Sequence, residues 1–105
     1  MIKIKLFCNA GMSTSMLVNK MNKSIKDKGL DNEIEEVVAY PQSKIEQEAP
    51  DASVVLIGPQ VKYMMNEVKR ICDPKGIPVD VISIQDYGLM KGEAVVEQAL
   101  KLLGK

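Results

Sequence analysis

The apolar run Met1-Ile2-Lys3-Ile4-Lys5-Leu6-Phe7 ends on Cys8, and Asn9-Ala10-Gly11-Met12-Ser13-Thr14-Ser15 follows it. A strand that delivers a thiol into a small-residue loop opening a helix sets the sulfur beside backbone N–H groups and the positive end of the helix dipole. Successive N–H donors in such a turn form a concave anion site, suited to a phosphoryl group. The same field favours thiolate over thiol and makes the sulfur nucleophilic. Cys8 is therefore the candidate nucleophile, and Asn9, Ala10, Gly11, Met12, Ser13, Thr14 and Ser15 are the candidate phosphoryl-binding residues. A cysteine after a strand is more often a small inert hydrophobe. Here a glycine that permits unusual backbone angles and three hydroxyl side chains that can donate to an anion follow within seven residues, which favours the chemical reading.

The spacing is also that of a protein tyrosine phosphatase loop, in which an Arg follows the fifth residue after the Cys. Thr14 stands at the Arg position, with Ser15 next. A guanidinium there would clamp two phosphoryl oxygens and stabilise the transition state, so its replacement argues against efficient hydrolysis. Hydroxyl and backbone donors still bind the group and leave it transferable. A phosphatase also needs an acid to protonate its leaving group. Asp86 lies in the segment after the last strand and is a weak candidate for that role, better read as a turn or cap residue.

Four short apolar segments alternate with helical patterns, the signature of βαβ units and a parallel sheet covered on both faces. The first strand is expected at Ile2 to Phe7. Ser13, Thr14 or Ser15 caps the next helix, whose Leu17, Met21 and Ile25 recur four residues apart until Gly29 ends it as a left-handed cap. Its lysines, Lys20, Lys23, Lys26 and Lys28, read as a solvated face. Residues 33–39 read as a second strand whose acidic content suits a sheet edge, closed by Tyr40-Pro41. A short helix from about Gln42 to Glu48 precedes Ser53-Val54-Val55-Leu56-Ile57, an unbroken apolar run expected in a central strand. Gly58-Pro59-Gln60 turns into a helix to about Ile71 or Cys72 with Val61, Met64, Met65 and Val68 inward. Val79 to Ile84 is the fourth strand, Gln85 to Gly92 a loop, and Glu93 to Leu103 a terminal helix. With strand order 2-1-3-4, right-handed crossovers put the first and last helices on one face and the middle pair on the other. The switch point, where open α/β sheets bind ligands, then falls beside Cys8.

The chain has 105 residues, is 46% hydrophobic and carries no net charge, which fits one domain over residues 1–105. Zero net charge and few aromatics argue against nucleic-acid binding. No apolar run approaches the roughly 20 residues that span a bilayer, and the first residues lack the apolar region of a signal peptide, so a cytoplasmic protein is expected. With no His and two Cys, neither a zinc site nor a disulfide scaffold is expected, and no cofactor is implied. Cys72 reads as filler near a helix end, because a resolving thiol would have to lie beside Cys8. Gln60 is balanced between touching a phosphoryl group or partner and capping a helix. Met12 offers a soft apolar contact to a partner.

Leu6-Phe7-Cys8-Asn9-Ala10-Gly11-Met12-Ser13-Thr14-Ser15, followed by Leu17-Val18 and Met21, resembles the phosphorylation loop of the enzyme IIB component of the lactose/cellobiose (N,N'-diacetylchitobiose) family of the bacterial phosphoenolpyruvate-dependent sugar phosphotransferase system. Asp51 to Met64, with Gly58-Pro59-Gln60, is similar to the third strand and following turn of that family, and the size and strand-helix order agree over essentially the whole chain. The resemblance implies an open four-stranded parallel α/β sheet with a phosphate loop like that of the low-molecular-weight phosphatases. It implies a phosphocarrier: Cys8 accepts a phosphoryl group from a phosphohistidine of a cytoplasmic IIA protein and passes it to a sugar, such as cellobiose, chitobiose or a similar β-glycoside, held by a membrane IIC transporter. Contact with IIC would bring the protein transiently to the inner face of the membrane. A small domain that meets two partners in turn is expected to be a monomer. The alternative is a low-molecular-weight phosphatase or arsenate-reductase-like enzyme, which Thr14 disfavours; a non-catalytic relative is disfavoured by the intact Cys8 loop.

Overall fold

A computed structural model describes residues 1–9 and 12–105, with residues 12 and 13 described by their backbone. Strand β1 (Ile4–Cys8) is buried at every position because it is central and covered on both faces. It lies between β2 (Val38–Pro41) and β3 (Val54–Ile57), and β4 (Val79–Val81) completes a parallel sheet of order β2-β1-β3-β4. The register pairs Cys8 with Pro41 and Phe7 with both Tyr40 and Ile57.

The period-2 pleat divides the core into two layers. Ile4, Leu6, Cys8, Val54 and Leu56 face one side, where α1 (Met12–Asp27) supplies Leu17, Met21 and Ile25 and α5 (Gly92–Leu102) supplies Val95, Val96 and Ala99. Phe7, Val55 and Ile57 face the other, packed by Ile45 of α2 (Ile45–Glu48) and by Val68 and Cys72 of α3 (Met65–Cys72). This is the expected division of helices. Helix α5 starts hard against α1: a Cβ on Gly92 would stand 2.5 Å from the carbonyl carbon of Lys20. Gly29, φ 69°, makes the left-handed turn after α1. No helix among the described residues is long and apolar enough to cross a membrane.

Lys5 keeps its place in a buried strand by extending its ammonium along the α2 layer. There it donates to the Glu48 carbonyl at 2.9 Å and to Glu48 Oε1 at 3.2 Å, with Asp51 Oδ2 at 3.7 Å and the Tyr40 ring centroid at 5.5 Å.

Element boundaries depart from the sequence expectation in several places. Helix α1 begins at Met12, so Ser13, Thr14 and Ser15 lie within it rather than cap it. The first strand is shifted to Ile4–Cys8, and Ile2 makes only an isolated bridge to Ile34. The second strand begins at Val38 rather than residue 33 and includes Tyr40 and Pro41. Its late start has a cause in α1: Asn22 Oδ1 accepts from the Val37 N–H at 2.7 Å and Asn22 Nδ2 donates to the Val37 carbonyl at 3.2 Å. Both backbone groups are thereby taken from the ladder. Pro41 is tolerated because β2 is an edge. After β3 the chain first makes a 3-10 turn, Pro59–Met64, in which Val61 departs from helical angles at φ −118°. Finally, β4 stops at Val81, and the expected loop from Gln85 holds a helix, α4 (Ile84–Gly88). Ser83 adopts extended angles and its Oγ accepts from the Asp86 N–H at 3.1 Å, an N-cap that ends the strand and starts the helix.

Candidate functional site

Four elements bring polar groups to the carboxyl ends of β1, β3 and β4. Cys8 ends β1, beside the point where the strand order reverses, and its residue is 2% exposed. Its thiol donates to Gln60 Oε1 at 3.4 Å, and the Tyr87 hydroxyl lies 3.4 Å from Sγ on another side. Tyr87 Oη is 2.7 Å from Thr14 Oγ1, and Thr14 Oγ1 donates to the Asn9 carbonyl at 3.5 Å. The result is a continuous polar chain, Gln60–Cys8–Tyr87–Thr14–Asn9, whose three middle members are buried and whose two ends are exposed.

Each member is where it is for a local reason. Gln60 comes from the turn after β3, not from a helix face, and so leans back over β1. The turn can come this close because of Gly58, whose N–H donates to the Phe7 carbonyl at 2.9 Å. A Cβ there would stand 2.5 Å from Cys8 Sγ and 3.0 Å from Gln60 Oε1. Thr14 is buried in the first turn of α1. The Ser83 cap sets the phase of α4 so that Tyr87 points inward, 6% exposed, and Ile84 outward, 75% exposed.

Burial, first, and the hydrogen bond with Cys8, second, push the Tyr87 phenol above its ordinary value, against lowering contributions from Thr14 and Gln60. The hydroxyl therefore keeps its hydrogen through the physiological range and remains a donor. Burial, followed by Asp73, pushes the Cys72 thiol up.

Of the residues expected from sequence, Cys8, Asn9, Thr14 and Gln60 come together, and Gln60 touches the thiol itself. Ser15 is exposed on α1. Ala10 and Gly11 lie outside the described residues, as do the side chains of Met12 and Ser13. Asp86 sits in the first turn of α4, its N–H bound to the cap, and no carboxylate is among the described hydrogen-bond partners of the sulfur. Cys72 lies in the α3 layer, across the sheet from Cys8. The sulfur is covered, with Gln60 and Tyr87 against it. Tyr87 is the functional residue that sequence reasoning missed. Ser83-Ile84-Gln85-Asp86 carries the Ser-x-x-acid pattern of a helix start, and heeding it would have placed Tyr87 on a helix facing the site. Among the described residues no group of three or more His, Cys, Asp or Glu is arranged to hold a metal.

Residues 3–98 match the family model described as PTS system, Lactose/Cellobiose specific IIB subunit. The chain is 43% identical over 105 residues to the cellobiose-specific EIIB component of Lactococcus lactis subsp. lactis (strain IL1403), covering 95% of this chain and 94% of the relative. It is 42% identical over 105 residues to the galactose-specific EIIB component of Lactococcus lactis subsp. cremoris (strain MG1363), with the same coverage of 95% and 94%. Among solved structures, the cellobiose-specific phosphotransferase IIB component from Borrelia burgdorferi superposes with a TM-score of 0.76 at 37% identity, over 96% of this chain and 90% of that one.

Proposed function

Because the chain belongs to the lactose/cellobiose-specific IIB family of the sugar phosphotransferase system, whose members are phosphotransferases working with IIA and IIC partners, we propose that Cys8 is the residue that carries the phosphoryl group. The observation that carries this reading is the placement of the Cys8 sulfur at the switch point of the sheet, hydrogen-bonded to Gln60 and Tyr87, with Thr14 where a hydrolase would hold an Arg.

In the first half-reaction the thiol gives up its proton to solvent and the thiolate pair attacks the phosphorus of a phosphohistidine on IIA. The N–P bond breaks, its electron pair stays on the imidazole nitrogen, and that nitrogen takes a proton from solvent. In the second, a sugar hydroxyl held by IIC attacks the same phosphorus. The S–P pair returns to sulfur and the hydroxyl proton leaves to solvent. Such transfers depend chiefly on positioning and charge stabilisation. Asn9, Ala10, Gly11, Met12, Ser13, Thr14 and Ser15 bind the phosphoryl oxygens, and Gln60 is an accessory contact. Gln60 is exposed and Tyr87 buried, so the amide is the contact of the sulfur that a partner's phosphoryl group reaches first. Among the described residues no acid stands at the sulfur to protonate a leaving group in hydrolysis, and no guanidinium stabilises attack by water. These two features support transfer over a phosphatase reading.

The sugar is a β-linked disaccharide such as cellobiose or chitobiose, held mainly by IIC; relatives of nearly equal identity are named for cellobiose and galactose. The protein acts as a cytoplasmic monomer that visits the inner membrane face through IIC, in short-lived contacts of modest area. The test is to supply phosphoenolpyruvate, the general phosphotransferase proteins and a lactose-type IIA, and to locate the added phosphate by mass spectrometry. Cys8 takes it and Cys8→Ser does not; phosphate on another side chain overturns the assignment.

A further inference from the structure

Among the described residues the Tyr87 hydroxyl has two hydrogen-bond acceptors within reach and one hydrogen to give. Thr14 Oγ1 is at 2.7 Å and Cys8 Sγ at 3.4 Å. While the sulfur is a thiol, its own S–H is directed at Gln60 Oε1, and the Tyr87 hydrogen is best used on the closer oxygen of Thr14, whose hydroxyl donates onward to the Asn9 carbonyl. Once the sulfur is a thiolate the balance reverses, because a hydrogen bond to a charged acceptor is roughly twice as strong as one between neutral groups.

We propose that Tyr87 is a catalytic residue of the transfer, its hydroxyl hydrogen turning from Thr14 to the Cys8 sulfur whenever that sulfur is charged. The proposal rests on Cys8 being the phosphoryl carrier. It accounts for a buried phenol placed against the reacting atom, which packing alone does not require. The loose transition state of phosphoryl transfer leaves charge on the sulfur in both directions, as nucleophile and as leaving group. A donor already in place, in a site shielded from water, stabilises that charge with no more reorganisation than the turn of one hydroxyl hydrogen. The groups acting on Tyr87 are Cys8 from β1, Thr14 from α1 and Gln60 from the turn after β3, and no fixed charge is among them. The phenol keeps its hydrogen and so donates without competing for the proton.

The test follows the Cys8 Cβ carbon by NMR through a pH titration, which needs no access of a reagent to the covered sulfur. Tyr87→Phe keeps the ring and removes the hydroxyl. At fixed pH its Cys8 thiolate fraction falls roughly tenfold. Both phosphoryl half-reactions slow by a similar factor. Cys72, across the sheet, titrates unchanged and serves as internal control. Thr14→Val removes the nearer oxygen, so the Tyr87 hydrogen turns to the sulfur, and the Cys8 thiolate fraction moves the opposite way. Coincident Cys8 titrations in wild type and Tyr87→Phe overturn the assignment, even if the variant melts earlier, as does movement of both variants in one direction; phosphorylation of Cys8 is untouched by either result. A sulfur that titrates as described and yet accepts no phosphoryl group from IIA overturns the reading of the site instead.

Discussion

Gly58→Ala isolates the geometry of the site in a single methyl group. Gly58 has φ −67° and ψ 151°, ordinary extended angles, so alanine brings no backbone strain and the whole effect is one of space. The new carbon would lie 2.5 Å from Cys8 Sγ, 3.0 Å from Gln60 Oε1 and 3.2 Å from Cys8 Cβ. Unstrained heavy-atom contacts between carbons lie at about 3.5–4.0 Å, so the sulfur must retreat by about 1 Å. It has little room to do so, because the Cys8 backbone is held in register with Pro41 and Gly58 is itself bonded to Phe7. Rotation about the Cys8 side chain leaves both Gln60 and Tyr87. Overpacking of this kind costs about 1–3 kcal/mol. For a domain of this size that lowers Tm by about 4–8 °C per kcal/mol. A misplacement of about 1 Å in the reacting atom costs about 100-fold in rate, more than the stability loss can explain while the protein stays folded. The assay pairs a thermal melt by circular dichroism with the rate of Cys8 phosphorylation by phospho-IIA, measured well below Tm. A folded Gly58→Ala protein that transfers at the wild-type rate would refute the claim that this glycine exists to admit the sulfur.

Asn22→Ala removes both partners of the Val37 peptide and costs about 2 kcal/mol in urea denaturation, and Asn22→Asp, which keeps the acceptor for the Val37 N–H but turns a carboxylate oxygen on the Val37 carbonyl, is also less stable than the wild type. Equal stability of all three proteins would mean that water satisfies Val37 equally well. The raised Cys72 thiol sets an alkaline limit. The folded state holds that proton more tightly than the unfolded state, whose thiol ionises near 9.0, so its contribution is complete below pH 9 and declines above it as the unfolded thiol ionises. Cys72→Ala is less stable at neutral pH through the cavity it leaves, but its stability declines less between pH 9 and 10; parallel curves for the two proteins would contradict this linkage.

How far the sequence reached depends on the range over which each cause acts. The central strands were legible because Val54 to Ile57 and Ile4 to Phe7 are built of residues that a doubly covered strand demands, and the alternation of strand and helix leaves few parallel topologies open. The placement of helices on the two faces followed from chirality. The ends of elements were less legible, since Val38 begins β2 through the action of Asn22, 15 residues away along the chain. The α4 signal at Ser83 was local and readable, yet it was outweighed by the apolar run of β4 preceding it.

By itself, then, the sequence determined that a thiol ends the first strand of a parallel sheet, that hydroxyls and a glycine follow it, and that an Arg does not. These are properties of consecutive residues, and strand and helix propensities act over the same short span. Only the tertiary structure decided that Gln60 and Tyr87 enclose that sulfur and that Gly58 makes room for them. Those residues lie 52, 79 and 50 positions downstream of Cys8, and they meet it because β3 and β4 stack beside β1 with their carboxyl ends level. Sheet pairing and helix packing bring them within hydrogen-bond reach, and nothing in the spacing of residues along the chain encodes that distance.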